Sequence, residues 1–232
     1  SSAMAQKSFN ISVNNPSKTE RKATPVVLNL DKYGINVKAA VVTNSAGSEI
    51  ASQLDDLNGD GRYDELCFIT DMGKKESQSF NVKLLEQGKQ KEYKPQVYAE
   101  MLLSNKKIKS SNKQDLYISS LTVDNGTNPY NMLHHHGPAF ENDMVGYRIY
   151  FDHRQTVDIY GKYRKGLELK QTQFYPDNEQ KAAGFGDDVL WVGQTLGLGT
   201  LRGWNGVSPQ MLQDVDHRTL RIVSRGPLRT IV

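Results

Sequence analysis

The sequence contains almost no cysteine and no long apolar run, and both absences narrow the classes of protein that it can encode. A single cysteine, Cys67, excludes an intrachain disulfide. It lies in the apolar run from Leu66 to Ile69, which predicts a buried structural residue and not a nucleophile. No apolar run approaches the ~20 residues that a membrane-spanning helix needs. We therefore expect neither a disulfide nor a membrane span.

A concentration of charge of one sign is also missing. The 29 basic and 26 acidic residues are interspersed and give a net charge of +3, so no basic stripe is present to bind nucleic acid. The denser basic stretch within residues 105–115 is typical of a solvated loop. The glycines around Phe185 and Leu198 do not have the spacing of a phosphate-binding loop. We therefore expect no nucleic-acid partner and no organic cofactor.

The two ends of the sequence suggest how the chain is processed. Ala3-Met4-Ala5 has the small-x-small pattern that ends a secretory signal peptide, which predicts a secreted or periplasmic protein. The alternative is a remnant of an expression vector. The last residues, 229–232, form a strand-like run with no turn signal, so we expect the front part of a longer protein.

Alternation of apolar and polar residues, the signature of half-buried strands, dominates the chain. In the first half the apolar sets are Phe9, Ile11 and Val13; Val26, Leu28 and Leu30; Val37, Ala39 and Val41; Leu66 to Ile69; and Phe80, Val82 and Leu84. In the second half, strands are predicted at 189–192, 198–201 and 220–223, with short helical turns at 178–183 and 209–215. The fold class is therefore all-β, with a small N-terminal β-sandwich at residues 6–87. A polar linker at 88–95 precedes the front part of a larger antiparallel β-sandwich, of the supersandwich kind, at 97–232.

A hairpin is the clearest element of the second half. A three-residue loop at 153–155 would place Tyr150 opposite Asp158 and Arg148 opposite Tyr160. Polar and aromatic side chains then share one face, as they do on sheets that bind sugars through ring stacking and basic groups. The alternative is an ordinary solvated face. This candidate face consists of Arg148, Tyr150, Asp158, Tyr160 and Lys162.

A loop in the first half has the residue types and spacing of a calcium loop. Oxygen-bearing side chains occupy positions 1, 3, 5 and 9, glycine stands at position 6, and the position-7 carbonyl would add a ligand. The alternative is a hydrogen-bonded turn without metal. The possible calcium, which would be structural, is assigned to Asp56, Asn58, Asp60, Arg62 and Asp64.

Three consecutive histidines, His134 to His136, form the most unusual cluster of the second half. Imidazole titrates near neutral pH and suits proton transfer, and Glu141 lies close enough in sequence to orient it or to bind a cation. The alternative is a loop whose imidazoles bond to the backbone. A catalytic zinc site is less favoured, because no HxxxH motif or HxH with a distant ligand is evident.

Further along the chain, Asp187, Asp188 and Trp204 are candidates for the rim of a cleft. The alternative for the two aspartates is that they cap a turn.

Several motifs together resemble a family of secreted bacterial proteins, the domain-of-unknown-function 4861 family. The motifs are residues 135–141 (HHGPAFE), 147–152 (YRIYFD), 158–162 (DIYGK), 186–190 (GDDVL) and 226–229 (GPLR), together with the Asn58–Gly61 loop. The resemblance spans nearly the whole chain, and family members are longer. It implies an association with polysaccharide degradation, and dehydration of a terminal uronic acid of an oligosaccharide.

The hypothesis that follows is a carbohydrate lyase acting by β-elimination. A base removes the proton α to the uronate carboxylate, a positive group or cation stabilises the enediolate, and an acid protonates the departing hydroxyl. The catalytic candidates are His135 or His136 as base and Tyr150 or Tyr160 as acid, with Arg148 or Lys162 on the carboxylate. The remaining substrate-binding candidates are His134, Glu141, Asp158, Asp187, Asp188 and Trp204.

Two other functions stay open. A carbohydrate-binding protein without turnover would need the aromatic and basic face but not the histidines. A glycoside hydrolase would pair Glu141 with Asp158 or Asp187.

Overall fold

A computed structural model describes residues 5–103, 116–172, 174–193, 197–212 and 215–232. Two predicted features lie outside these ranges: the loop at 105–115, and residues Ala3 and Met4 of the signal-peptide remnant. The described chain is almost entirely antiparallel β-structure, and its one α-helix is α1 (Asn178–Ala182). This confirms the all-β class and the helical turn predicted at 178–183. None of the helices in these ranges is long and apolar enough to cross a membrane.

The chain divides into two compact units. The first comprises residues 1–95 together with 226–229, and the second comprises residues 96–225 and 230–232. The four residues 226–229 therefore return to the first unit from far along the chain.

The first unit consists of two antiparallel sheets that share one core. Its strands are β1 (Gln6–Asn14), β2 (Arg21–Asn29), β3 (Ala39–Asn44), β4 (Glu49–Ile50), β5 (Ser52–Asp55), β6 (Glu65–Met72) and β7 (Ser77–Leu85). One sheet has the order β1-β7-β3-β4 and the other has the order β2-β6-β5. Val82 and Leu84 of the first sheet and Leu66 and Phe68 of the second are fully buried in the same cluster. A β-sandwich results.

The alternation predicted for β3 is displaced by one residue. Ala40 and Val42, and not Ala39 and Val41, belong to the core cluster, together with Val37 before the strand. Residues 39–42 are all small and apolar, so their sequence does not show which of them face the core. Pairing of β3 with β7 selects the inward face instead.

The second unit is built on a five-stranded sheet with several two-stranded ribbons. The sheet consists of β8 (Val97–Glu100), β12 (Ala139–Asn142), β13 (Val145–Ile149), β14 (Val157–Gly161) and β15 (Asp187–Asp188), in the order β15-β14-β13-β12-β8. The ribbons pair β9 (Leu102–Leu103) with β10 (Leu116–Tyr117), β11 (Ser120–Asp124) with β18 (His217–Arg221), β16 (Arg202–Trp204) with β17 (Pro209–Met211), and β19 (Ser224–Arg225) with β20 (Thr230–Ile231).

Several element boundaries in this unit differ from the sequence prediction. The segment 209–211 is strand β17, paired with β16, so the helical turn predicted at 209–215 is wrong for these residues. The strand predicted at 189–192 is wrong for these residues, because the strand here is the two-residue β15, which ends before them. Leu198 makes an isolated bridge to Val157 in place of the strand predicted at 198–201.

The register of the β13–β14 hairpin is shifted by two residues from the prediction. Arg148 lies opposite Asp158, and Gly146 lies opposite Tyr160. The turn is longer than three residues, because the amide of Tyr150 donates to the carbonyl of Thr156. A shift of two keeps every side chain on its predicted face. The candidate residues still share a face, but with different partners.

Candidate functional site

The polar face of the β13–β14 hairpin is buried, which excludes the solvated-face alternative for its centre. Arg148 has a relative exposure of 1% and Asp158 of 5%. The Arg148 guanidinium donates from Nε and Nη2 to Asp158 Oδ2, at 2.9 and 2.7 Å. Its Nη2 also donates to the hydroxyls of Tyr150 and Tyr175, each at 2.8 Å. A buried ion pair thus fixes two tyrosine hydroxyls.

Aromatic rings enclose the same guanidinium. Its carbon lies 4.3 Å from the ring centroid of Phe174, 4.9 Å from that of Tyr150 and 5.2 Å from that of Tyr175. Phe174 adopts a positive φ of 72°, a conformation that costs a bulky residue on the order of 1–3 kcal/mol. The surrounding packing therefore holds this ring against Arg148.

A cleft of about 330 Å³ lies beside this network. Two of the aromatic side chains that line it, Tyr175 and Trp191, are 47% and 82% exposed and meet edge to face at 6.4 Å. The other lining residues are Tyr150, Arg154, Thr156, Asp158, Asp188, Leu190, Val192 and Gly193. The cleft therefore combines exposed aromatic surface with polar groups, a combination suited to a sugar ring.

Arg154 is the one basic residue among the described residues that line the cleft. Its guanidinium lies 4.4 Å from the ring centroid of Tyr150 and 4.8 Å from that of Tyr130. It forms an ion pair with Asp152 at 2.6 Å and keeps a side-chain exposure of 25%. Arg154 can thus present a positive charge to a ligand, whereas Arg148 cannot.

The three histidines form one tight turn, His134–His136, in an unusual backbone conformation. His135 and His136 both have positive φ, 56° and 63°, a region that non-glycine residues rarely occupy. Gly137 follows, where an added Cβ would lie 1.8 Å from the carbonyl oxygen of Ile149. Close approach to strand β13 therefore requires glycine at this position and fixes the turn against the hairpin.

His134 and His135 point into the interior and share the carboxylate of Glu100 on β8. His134 Nδ1 lies 2.5 Å from Glu100 Oε1, and His135 Nε2 lies 3.3 Å from the same oxygen. The hydroxyl of Tyr98 donates to Glu100 Oε2 at 2.5 Å. Burial lowers the pKa of His135 to about 4, so its imidazole is neutral near neutral pH. A fully enclosed imidazole cannot reach a sugar as a base, which corrects that assignment for His135.

His136 is placed differently, next to the cleft. Its ring stacks on Tyr130 with centroids 3.6 Å apart and lies 6.1 Å from the ring of Tyr150, which lines the cleft. Its Nδ1 is 2.8 Å from the carbonyl oxygen of Tyr130. A carbonyl oxygen can only accept, so Nδ1 carries a proton, and in the neutral ring Nε2 then carries the lone pair.

Two further candidates belong to buried networks away from the cleft. The hydroxyl of Tyr160, which is fully buried, donates to Glu168 at 2.7 Å. The ammonium of Lys162 donates to Glu141 at 2.5 Å, and its side chain is 1% exposed. Glu141 also accepts hydrogen bonds from the amides of Glu168 and Leu169. Neither the acid role of Tyr160, nor the carboxylate-binding role of Lys162, nor a hydrolase role of Glu141 fits these positions.

Only one of the three predicted rim residues lines the cleft. Asp188 does so, and its Oδ2 lies 3.8 Å from Arg148 Nη2. Asp187 pairs with Gly161 in β15, accepts from the amide of Asp188 at 2.8 Å, and is not among the residues lining the cleft. Trp204 is 67% exposed in β16 and is not among the residues lining the cleft.

The candidate calcium loop of the first unit uses its side-chain oxygens for hydrogen bonds within the loop. Asp56 accepts from the amides of Gly59 and Gly61 at 2.7 and 2.8 Å. The other acceptors follow the same pattern: Asn58 for Asp60, Asp60 for Arg62, and Asp64 for Leu57. These contacts account for the turn, and calcium binding here stays a prediction.

Sequence reasoning missed Glu100, Arg154, Tyr175 and Trp191. Glu100 is 34 residues from His134, and no spacing rule connects a strand carboxylate with a later turn. Arg154 lies within the predicted hairpin loop, and its position after a polar hairpin face was the one available signal. Tyr175 and Trp191 meet only because the segments on either side of α1 both reach the cleft.

The fold and the site define an all-β protein with a polar, aromatic-lined cleft in its second unit. The chain belongs to the family described as Domain of unknown function (DUF4861), whose family model matches residues 13–232. No curated protein and no solved structure matches the chain.

Proposed function

We propose that the chain binds a uronic-acid-containing oligosaccharide in the cleft of the second unit and removes water from it by β-elimination. The observation that carries the proposal is the cleft itself. It places the exposed rings of Tyr175 and Trp191 beside Arg154 and beside Tyr150, whose hydroxyl is fixed by Arg148. We further propose that the protein is exported and takes part in polysaccharide degradation.

The substrate class follows from the lining of the cleft. Aromatic rings pack against the apolar faces of pyranose rings, and a guanidinium binds a carboxylate through paired hydrogen bonds. Arg154 is assigned the carboxylate-binding role, because Arg148 and Lys162 are both enclosed with carboxylates of the chain. An acidic sugar is therefore favoured over a neutral one.

The proton transfers are assigned to Tyr150 and His136. Burial raises the pKa of Tyr150, so its phenol stays protonated and serves as the acid for the departing hydroxyl. His136, the imidazole next to Tyr150, accepts the proton α to the carboxylate. The hydroxyl leaves with the proton of Tyr150 as water, and the electrons of the broken C–H bond form the new double bond.

The second candidate function is sugar binding without turnover. The tight enclosure of Asp158 by Arg148 favours it, because that carboxylate is held as a structural ion and not as a reacting group. This function requires Arg154, Tyr175 and Trp191 but neither His136 nor the Tyr150 proton.

Substitution of single groups separates the two functions. Tyr150→Phe keeps the ring and removes the proton, and we expect turnover of uronate-terminated oligosaccharides to fall by about 10²–10⁴-fold with little change in binding. Arg154→Gln should instead weaken binding. Product is followed by the loss of one water in the mass spectrum, and binding by calorimetry. Binding by the unaltered chain with no loss of water would leave the non-catalytic function.

A further inference from the structure

Glu100, His134 and His135 form the one group of three metal-ligating side chains that converges within the described ranges. One potential ligand atom from each lies within 4.8 Å of the other two. The three side chains come from two places that the fold brings together, strand β8 and the tight histidine turn. The proposed function assigns none of them a role.

We propose that Glu100, His134 and His135 bind one divalent transition-metal ion of the zinc class. Two imidazoles and one carboxylate are the protein ligands of a tetrahedral zinc centre that keeps a fourth position for water. Thiolates, which would favour a closed structural centre, are absent from the set. His134, with 13% side-chain exposure against 2% for Glu100 and 0% for His135, marks the side nearest to solvent.

The distances suit such an ion. Ligand atoms at 2.0–2.1 Å from a tetrahedral ion lie about 3.3 Å from one another. Glu100 Oε1 and His135 Nε2 are 3.3 Å apart. The contact between His134 Nδ1 and Glu100 Oε1, at 2.5 Å, is a hydrogen bond that would have to open by less than about 1 Å.

One surrounding contact orients Glu100 as the outer partners of metal sites do. The hydroxyl of Tyr98 donates to Glu100 Oε2, the oxygen that His134 does not contact. His135 Nε2 lies 3.2 Å from the carbonyl oxygen of Leu169, a contact that a metal bond to Nε2 would replace.

Metal titration of the full chain tests the proposal. The protein is treated with EDTA, dialysed, and titrated with Zn²⁺ against a competing chelator, and Co²⁺ is added separately to record its visible absorption. We expect one Zn²⁺ per chain and the intense Co²⁺ bands of a tetrahedral site. Glu100→Gln and His134→Gln should each weaken Zn²⁺ binding by more than about 100-fold, which exceeds the effect of losing an outer partner. His153→Ala removes an exposed histidine and should bind as tightly as the unaltered chain.

Tyr98→Phe covers the case in which a ligand variant does not fold. It leaves all three ligands in place, and we expect Zn²⁺ affinity to fall by about 10–100-fold. Failure of the folded, unaltered chain to bind one Zn²⁺ would overturn the proposal. Unchanged Zn²⁺ affinity in Glu100→Gln and His134→Gln would also overturn it. If those two variants do not fold, unchanged affinity in Tyr98→Phe would overturn it. In either case the cluster is a hydrogen-bonded histidine–glutamate network only.

Discussion

At the scale of single residues, the second unit encloses two basic side chains with carboxylates of its own. Arg148 is held by Asp158, and Lys162 is held by Glu141. A buried ion pair contributes little net stability, but removal of one partner leaves a buried charge uncompensated. Neither of these basic side chains is therefore available to a ligand, and Arg154 is the basic residue that lines the cleft.

Arg148→Met should destabilise the chain. The methionine keeps much of the volume, but it leaves Asp158 as an unpaired buried carboxylate, and we expect a loss of about 3–5 kcal/mol in the free energy of unfolding. Urea unfolding followed by circular dichroism measures it. Lys170→Met, at an exposed position, should change the same quantity by less than about 0.5 kcal/mol. Equal effects of the two substitutions would contradict the enclosure of Arg148.

The two tryptophans of the chain provide a matched test of the cleft. Both are exposed, Trp191 at 82% and Trp204 at 67%, but only Trp191 is among the residues lining the cleft. Loss of one stacking ring corresponds to about 1 kcal/mol, so Trp191→Ala should weaken binding of an acidic oligosaccharide about fivefold. Trp204→Ala should leave the dissociation constant unchanged. Calorimetry that gives equal losses for both would exclude this cleft as the binding site.

The sequence predicts which face each candidate side chain occupies, but it does not predict which of them are buried. Strand parity placed Arg148, Tyr150 and Asp158 on one face, and they do share it. Parity does not say whether a face is buried, because burial here depends on Phe174, which packs over the hairpin from a later segment. Burial by contacts from other parts of the chain is also what excludes the roles predicted for His135, Tyr160 and Lys162.

At the scale of elements, the sequence predicts local turns better than it predicts the pairing of strands. The Asp56–Asp64 loop forms hydrogen bonds within nine residues, so its sequence contains all the partners. The candidate side chains of the β13–β14 hairpin share a face as predicted, but the register of the hairpin is shifted by two residues. The phase of β3 was set by β7, from which it is separated by more than thirty residues. Short-range patterns define these elements, and long-range contacts decide how they are paired.

Acid should weaken the Asp56 loop. Hydrogen bonds from Gly61 and Gly59 hold the pKa of Asp56 below its ordinary value of 3.8. Because the folded pKa is lowered, the contribution of Asp56 to stability is full near neutral pH and is lost as the pH falls through that lowered value. Asp56→Asn should therefore lower the thermal midpoint at pH 7, and the difference from the unaltered chain should narrow below pH 3.8. A difference that is constant with pH, or equal to that of Asp31→Asn, would contradict this account.

At the scale of the whole molecule, the first unit depends on residues far along the chain. Residues 226–229 belong to it, and Gln53 accepts hydrogen bonds from the amides of Leu228 and Arg229. Arg229 also pairs with Asp55 and Glu65, at 2.7 and 2.6 Å. This cover explains why Leu66, Cys67 and Phe68 are all fully buried, although successive residues of a strand face opposite sides.

Cys67 reports on this long-range closure. Burial raises the pKa of its thiol to about 11, so a thiol reagent should label it only after the first unit opens. Arg229→Ala removes the partner of buried Asp55, and we expect labelling at lower urea, with a loss of about 2–3 kcal/mol. Lys74→Ala makes the same charge change at an exposed turn and should not alter labelling. Equal labelling of both variants would show that the segment does not stabilise the first unit.

Turnover in the cleft of the second unit should depend on the carboxylate of the sugar. The full chain is incubated with a uronate-terminated oligosaccharide and, separately, with the same oligosaccharide after reduction of its carboxylate to an alcohol. Mass spectrometry should show loss of one water from the acidic form only, because the α-proton is acidic, and Arg154 has a ligand, only when the carboxylate is present. Loss of water from neither form, with no binding of either, would contradict the account.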